Sequence, residues 1–195
     1  MSKKLILLIG APGSGKTTDG KTIADECLSN ITSYSLGEIL KQDMKKGGKV
    51  GKIINDYVSK GELVPTSLTI DELCKTVLNA PTDIVLIDGF PREIEHVKNF
   101  GDTINNLKRV ELLSVIEVRV SEKTARKRYF ASHNDESEEI FNHSMKIYQD
   151  TISEIEEYYK KQNILKVING ERDLDIVVSD IKKYLKSLIP NPVEA

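Results

Sequence analysis

The chain has 195 residues, with 28 lysines and arginines against 30 aspartates and glutamates and a net charge of −2, so it offers no basic surface of the kind that binds nucleic acid. No apolar run approaches the roughly 20 residues that span a bilayer, and the length suits one domain with a substantial core. The two cysteines, Cys27 and Cys74, form no metal-spaced pair and read as reduced thiols of a cytoplasmic protein.

In chain order, Met1-Ser2-Lys3-Lys4 has the charge of a signal-peptide opening, but the apolar run after it is too short and leads straight into a glycine-rich turn. That run, Leu5-Ile6-Leu7-Leu8-Ile9, has the pattern of a parallel strand buried on both faces. The turn is Gly10-Ala11-Pro12-Gly13-Ser14-Gly15-Lys16-Thr17-Thr18, after which Ile23, Ala24, Cys27 and Leu28 fall on one helical face. Strand, turn and helix form the context in which G-x-x-x-x-G-K-[ST] binds phosphate. Glycines let successive N–H groups approach phosphate oxygens, and the helix start near Gly15 adds free N–H groups and a positive dipole end. Lys16 supplies a point charge, and the Thr17 hydroxyl suits Mg²⁺. ATP or a similar polyphosphate is the expected ligand.

Beyond this, Ile31 to Ser35 reads as a short strand, with a helix from Gly37 around Glu38 to Met44. Lys45 to Lys49 interrupts it, and Ile53, Ile54, Tyr57 and Val58 resume a helical face that ends at Lys60-Gly61. Pro65 keeps Val64 extended. A helix is expected over 68–78, a buried strand over 84–87 ending in Asp88-Gly89-Phe90-Pro91-Arg92, a helix to about Asn106, and a strand over 112–120. Ser121 suits an N-cap for the helix carrying Arg126, Lys127 and Arg128. The polar stretch Ser132-His133-Asn134-Asp135 then leads to a long helix in which Ile140, Ser144, Ile147, Tyr148, Thr151, Ile155 and Tyr159 keep helical spacing. A last strand over 164–168, an amphipathic helix through Leu185 and a tail over 189–195 complete the chain. Alternating strands and helices predict a three-layer α/β fold, a parallel sheet with helices on both faces. In such folds ligands bind beyond the carboxyl ends of the strands, so the turn and Asp88 are expected to share one cleft.

The string Asp88-Gly89-Phe90-Pro91-Arg92, together with GAPGSGKTT, resembles the adenylate kinase family of nucleoside monophosphate kinases. Ser35-Leu36-Gly37-Glu38-Ile39-Leu40-Lys41 is similar to the family's acceptor segment S-T-G-D-L-L-R, and Lys60-Gly61-Glu62-Leu63-Val64-Pro65 to its K-G-E-L-V-P. The resemblance runs from about residue 4 to 188. It implies a P-loop NTPase core (1–34, 66–131 and 136–188), a small helical monophosphate-binding insertion over 35–65, and a very short lid at 132–135. It also implies Mg²⁺-ATP on Gly10, Pro12, Gly13, Ser14, Gly15, Lys16, Thr17 and Thr18, with Arg128 on the ATP side. A monophosphate, most simply AMP, would lie against Ser35, Leu36, Lys41, Leu63, Val64, Gly89, Arg92 and His96. Lys16, Asp88, Arg92 and Arg128 would serve catalysis, with Asp88 holding a Mg²⁺-bound water. The plainer alternatives are a helix N-cap for Asp88, a surface arginine for Arg128 and an exposed helix histidine for His96. A monomer with an insertion that closes near Gly37, Gly47-Gly48 and Gly61 is also implied.

Departures from the family pattern gather at charged positions. Lys41 stands for an arginine, Leu36 for a threonine, Glu38 for an aspartate, Lys127 for a glutamate and His96 for the base-reading glutamine. Ser132 and His143 stand where lid-side arginines are expected, and only Asp135 retains part of R-x-D-D. Arg126 is a candidate to compensate. Three functions therefore stay open: a kinase making two ADP from ATP and AMP, a nucleotide-binding regulatory protein that has lost catalysis, and a kinase for another monophosphate.

Overall fold

The computed structural model describes residues 2–26, 30–132 and 137–189. Five strands, β1 (Lys3–Ile9), β2 (Ile31–Ser35), β3 (Ile84–Asp88), β4 (Val110–Arg119) and β5 (Leu165–Asn169), form one parallel sheet in the order β2-β3-β1-β4-β5. Side chains alternate across a strand, and β1 shows the consequence. Leu5, Leu7 and Ile9 enter one core, with Leu73 and Val77 of α4 (Thr66–Asn79), Val97 and Phe100 of α5 (Ile94–Leu107) and Ile155 and Tyr159 of α7 (Glu138–Lys161). Ile6 and Leu8 enter the other, with Ile23 of α1 (Lys16–Glu26) and Val177, Val178, Ile181 and Leu185 of α8 (Leu174–Leu188). The three-layer α/β architecture is thus the one the alternation of elements predicts. No described helix is long and apolar enough to cross a membrane.

Several boundaries differ from the pattern-based expectation. Helix α2 (Leu36–Lys46) starts one residue before Gly37, and α3 (Gly48–Val58) begins directly after Gly47. Strand β4 starts at Val110, which already pairs with Lys3, and a register shift between Leu5 and Ile6 then interrupts its ladder with β1. Ser132 closes α6 (Glu122–Ser132) rather than opening a connector, because its hydroxyl donates to the carbonyls of Arg128 (3.1 Å) and Tyr129 (3.1 Å) in the last turn. Ser121 does accept from the Thr124 N–H at 3.2 Å, the N-cap expected of it. Cys27, Leu28, His133, Asn134, Asp135 and the tail from 190 lie outside the described residues.

Candidate active site

Packing dictates the glycines of the β1–α1 turn. At Gly10, with φ of 151°, a Cβ would stand 2.6 Å from the Val118 carbonyl, and at Gly13, with φ of 81°, 2.1 Å from the Ala125 carbonyl. Strand β4 and helix α6 therefore press directly on the turn, and only glycine fits. The Lys16 ammonium donates to the Ala11 carbonyl at 3.1 Å, which folds the side chain back over its own loop. Burial lowers its pKa to about 8, with the Asp88 carboxylate opposing the shift, Arg92 adding to it and Asp19 opposing it.

Asp88 ends β3 and is 3% exposed. Its Oδ1 accepts the Thr17 hydroxyl at 3.0 Å, tying strand to loop. Burial raises the Asp88 pKa against the pull of Lys16, the Thr17 hydroxyl and Arg92. The N-cap of α5 is Glu93, so Asp88 is no helix cap. Arg92 follows on the same connection and donates from Nε to the Gly89 carbonyl at 3.0 Å. It is walled by protein yet open to the cleft, and there its guanidinium stays charged.

His96 is buried, not exposed, and stacks on Phe90 at 5.2 Å. Its Nδ1 accepts the Arg92 N–H at 3.2 Å, which assigns the proton to Nε2. Burial, then the field of Arg92, lowers its pKa to about 4, with Glu95 opposing, so the ring is neutral. Nε2 approaches Glu93 Oε1 at 3.3 Å without forming a hydrogen bond.

Two cavities open on the loop. One, of about 400 Å³, is lined by Ser35, Leu36, Lys41, Leu63, Val64, Gly89, Arg92 and His96, expected beside the monophosphate, with Asp88 and with Gly10, Pro12, Gly13, Lys16 and Thr17 of the loop; Gly10 and Pro12, expected on ATP, line this cavity and not the other. The other, of about 410 Å³, is lined by Gly13, Ser14, Gly15, Lys16, Thr17, Thr18 and Arg128, likewise expected. Gly13, Lys16 and Thr17 belong to both. Arg128 is no free surface arginine: it donates to the carbonyls of Ser14 (3.3 Å), Gly170 (2.8 Å) and Arg172 (3.4 Å), bracing the loop against the turn before α8.

The structure also places residues that the sequence did not single out. Asp19, Gly170 and Arg172 line the second cavity, with Arg172 ion-paired to Asp180. Tyr129, Ser144, Tyr148 and Thr151 line the first. The available signal was the polar minority on the otherwise apolar stripe of α7. His143 is exposed and lies beside Gly61, while Ser144 faces the cavity. Arg126 pairs with Glu138 at 2.8 Å and Asn142 at 3.0 Å and sits over Phe130 and Phe141, so it fastens α6 to α7 and lines neither cavity. Among the described residues, the cations lining the two cavities are Lys16, Lys41, Arg92, Arg128 and Arg172.

A parallel sheet, a phosphate loop at the end of one of its strands and two cavities meeting at that loop define a P-loop nucleotide-binding protein. The family model described as adenylate kinase matches residues 8–164. Adenylate kinases of Campylobacter lari (strain RM2100) and Sulfurovum sp. (strain NBC37-1) are each 43% identical to the chain, covering 96% of it and 99% and 100% of their own lengths. That of Helicobacter hepaticus is 41% identical, over 94% of the chain and 98% of its own. The chain belongs to the adenylate kinase family.

Proposed function

We propose that the protein is a nucleoside monophosphate kinase converting ATP and AMP into two ADP, with ATP in the cavity between the loop and Arg172 and AMP in the cavity between Arg92 and the insertion. The observation that carries this is the shared wall: Gly13, Lys16 and Thr17 line both cavities, so phosphates entering from either side converge there. Phosphoryl transfer needs alignment and positive charge more than covalent chemistry. Lys16 and Arg92 supply that charge on the two sides, while Arg128 holds the loop in shape. The names and lengths of the relatives support the same reading. We read the chain as a monomer of the cytoplasm.

A magnesium ion fits these residues. Among the described residues no group of three or more carboxylate, histidine or cysteine ligands gathers. One buried carboxylate, Asp88, stands beside the Thr17 hydroxyl at the loop. That donor set suits an ion held chiefly by substrate phosphates and water. When bound, the ion would neutralise charge between the phosphates, with Thr17 and Asp88 holding it or its water. Asp88 would accept hydrogen bonds from such water, the cations Lys16 and Arg92 favouring its carboxylate form against burial and the field of Glu38.

His96 favours a second reading of the acceptor. With Nδ1 engaged by Arg92, the neutral ring has only its Nε2–H left to donate, and that atom is buried beside Glu93, so the wall at His96 asks of a base only that it fit there. A 6-oxopurine monophosphate satisfies that as adenine does. Incubation with Mg²⁺-ATP and AMP, GMP, IMP, CMP or UMP, with product ADP measured, is expected to give turnover with AMP. No turnover above background with any monophosphate would overturn the kinase reading, and faster turnover with GMP or IMP would establish the second.

A further inference from the structure

We propose that Thr151 and His96 are positioning residues that hold Arg92 in place for the acceptor phosphate, an assignment that rests on the kinase reading above. Arg92 lies between β3 and α5, outside any strand or helix. Both of its main-chain polar groups are taken by side chains from two different helices. Its N–H donates to His96 Nδ1 of α5 at 3.2 Å, and its carbonyl accepts the Thr151 hydroxyl of α7 at 3.0 Å. Nε is held in turn by the Gly89 carbonyl at 3.0 Å. The terminal nitrogens are the part of the side chain left to meet a ligand, and a guanidinium fork rewards fixed geometry.

Each holder has the chemistry the task needs. His96 accepts an N–H only while Nδ1 is unprotonated, and its burial against Phe90 keeps it neutral. Thr151 has one hydroxyl proton and two acceptors in reach, Arg92 O and Ile147 O at 2.8 Å. Ile147 is mid-helix, where the helix ladder serves its carbonyl, whereas Arg92 has no ladder. Helix α7 thereby reports its position to the arginine, and a displacement of an ångström at such a group is enough to cost a large factor in rate.

Steady-state kinetics on the full chain test this. Thr151→Val keeps the shape and removes the donor, and is expected to raise the KM for AMP about tenfold while leaving the KM for ATP within about twofold. Thr151→Ser is expected to recover most of the loss, and His96→Phe, which keeps the ring but lacks Nδ1, to act in the same direction as Thr151→Val. In an Arg92→Lys background, Thr151→Val is expected to add less than about twofold, because the group it positions is gone. Full additivity there would mean that Thr151 touches the substrate itself, and would overturn the proposal. So would a Thr151→Val enzyme with a lowered Tm and both KM values unchanged. A wild-type protein without turnover refutes the kinase reading and this proposal together, whereas wild-type turnover with an unaffected Thr151→Val refutes this proposal alone.

Discussion

Asp19 is carried by the first turn of α1 into the wall under the phosphate loop, 3% exposed, with Oδ2 lacking a hydrogen-bond partner. Burial raises its pKa from 3.8 to about 7, and the opposing fields of Arg128 and Lys16 do not offset the desolvation. The folded chain therefore holds this proton more tightly than the unfolded chain does. Stability falls as pH rises from about 4 through 7, by at most about 4 kcal/mol from this group. Asp19→Asn cannot ionise, so urea denaturation across pH 4 to 8 should show a flatter profile and a variant more stable than wild type at pH 8. Asp88 has the same sign and leaves a residual slope. Parallel profiles for the two proteins would refute the assignment. At this scale the sequence was legible where spacing carries the chemistry: Gly10, Gly13, Lys16 and Thr17 are recognisable because a phosphate loop needs those residues at those intervals. Asp19 was not, since its depth depends on α6 and Arg128 closing over it from more than a hundred residues away.

Helix α7 serves two purposes with one stripe. Its lower part packs Ile155 and Tyr159 into the core, and its upper part turns Ser144, Ile147, Tyr148 and Thr151 toward the cavity that Arg92 also lines. The 3.6-residue period predicted the helix and its inner face, but periodicity cannot distinguish a face against protein from a face against a ligand. What fixes the height of the upper part is a polar contact. The Tyr148 hydroxyl donates to Glu117 Oε1 at 3.1 Å, and Glu117, fully buried on β4, is gripped by Arg119 at 3.1 and 2.7 Å. Arg119 also reaches Glu156 at 2.7 Å, so α7 is fastened to the sheet at two levels. Tyr148→Phe keeps the ring in the cavity wall and removes only the donor to a buried carboxylate. It should cost about 1–3 kcal/mol and lower Tm by about 2–4 °C per kcal/mol. An unchanged urea midpoint and Tm would show that Glu117 is fully served by Arg119 alone. Glu117 sits inside the apolar run of β4, and nothing in that run marks a carboxylate whose partners lie on another element.

At the scale of the molecule, the pair of helices α2 and α3, the insertion of the proposed reading, joins the rest through Ser35-Leu36 at one end and Leu63-Val64-Pro65 at the other. Its apolar residues Leu36, Ile39, Leu40 and Ile54 share the larger core with α4. Its polar tie to α1 is the half-exposed Lys21–Glu38 pair at 2.6 Å, and such solvated pairs contribute little. The insertion is therefore seated by packing along one side and left free along the other, where Lys41, Val58, Leu63 and Val64 face the cavity opposite Arg92. A ligand spanning that gap would link insertion to sheet and suppress local opening. Hydrogen exchange read by mass spectrometry should accordingly show AMP slowing exchange severalfold across residues 36–64 and around Arg92. ATP alone should act on residues 13–19 and 170–177, which line the other cavity. The loop residues Gly13, Lys16 and Thr17, common to both walls, are expected to respond to either nucleotide. Protection by AMP confined to the sheet side, with residues 36–64 exchanging as in the free protein, would mean that the insertion does not hold the acceptor, and that the second half of the cavity serves something other than a monophosphate.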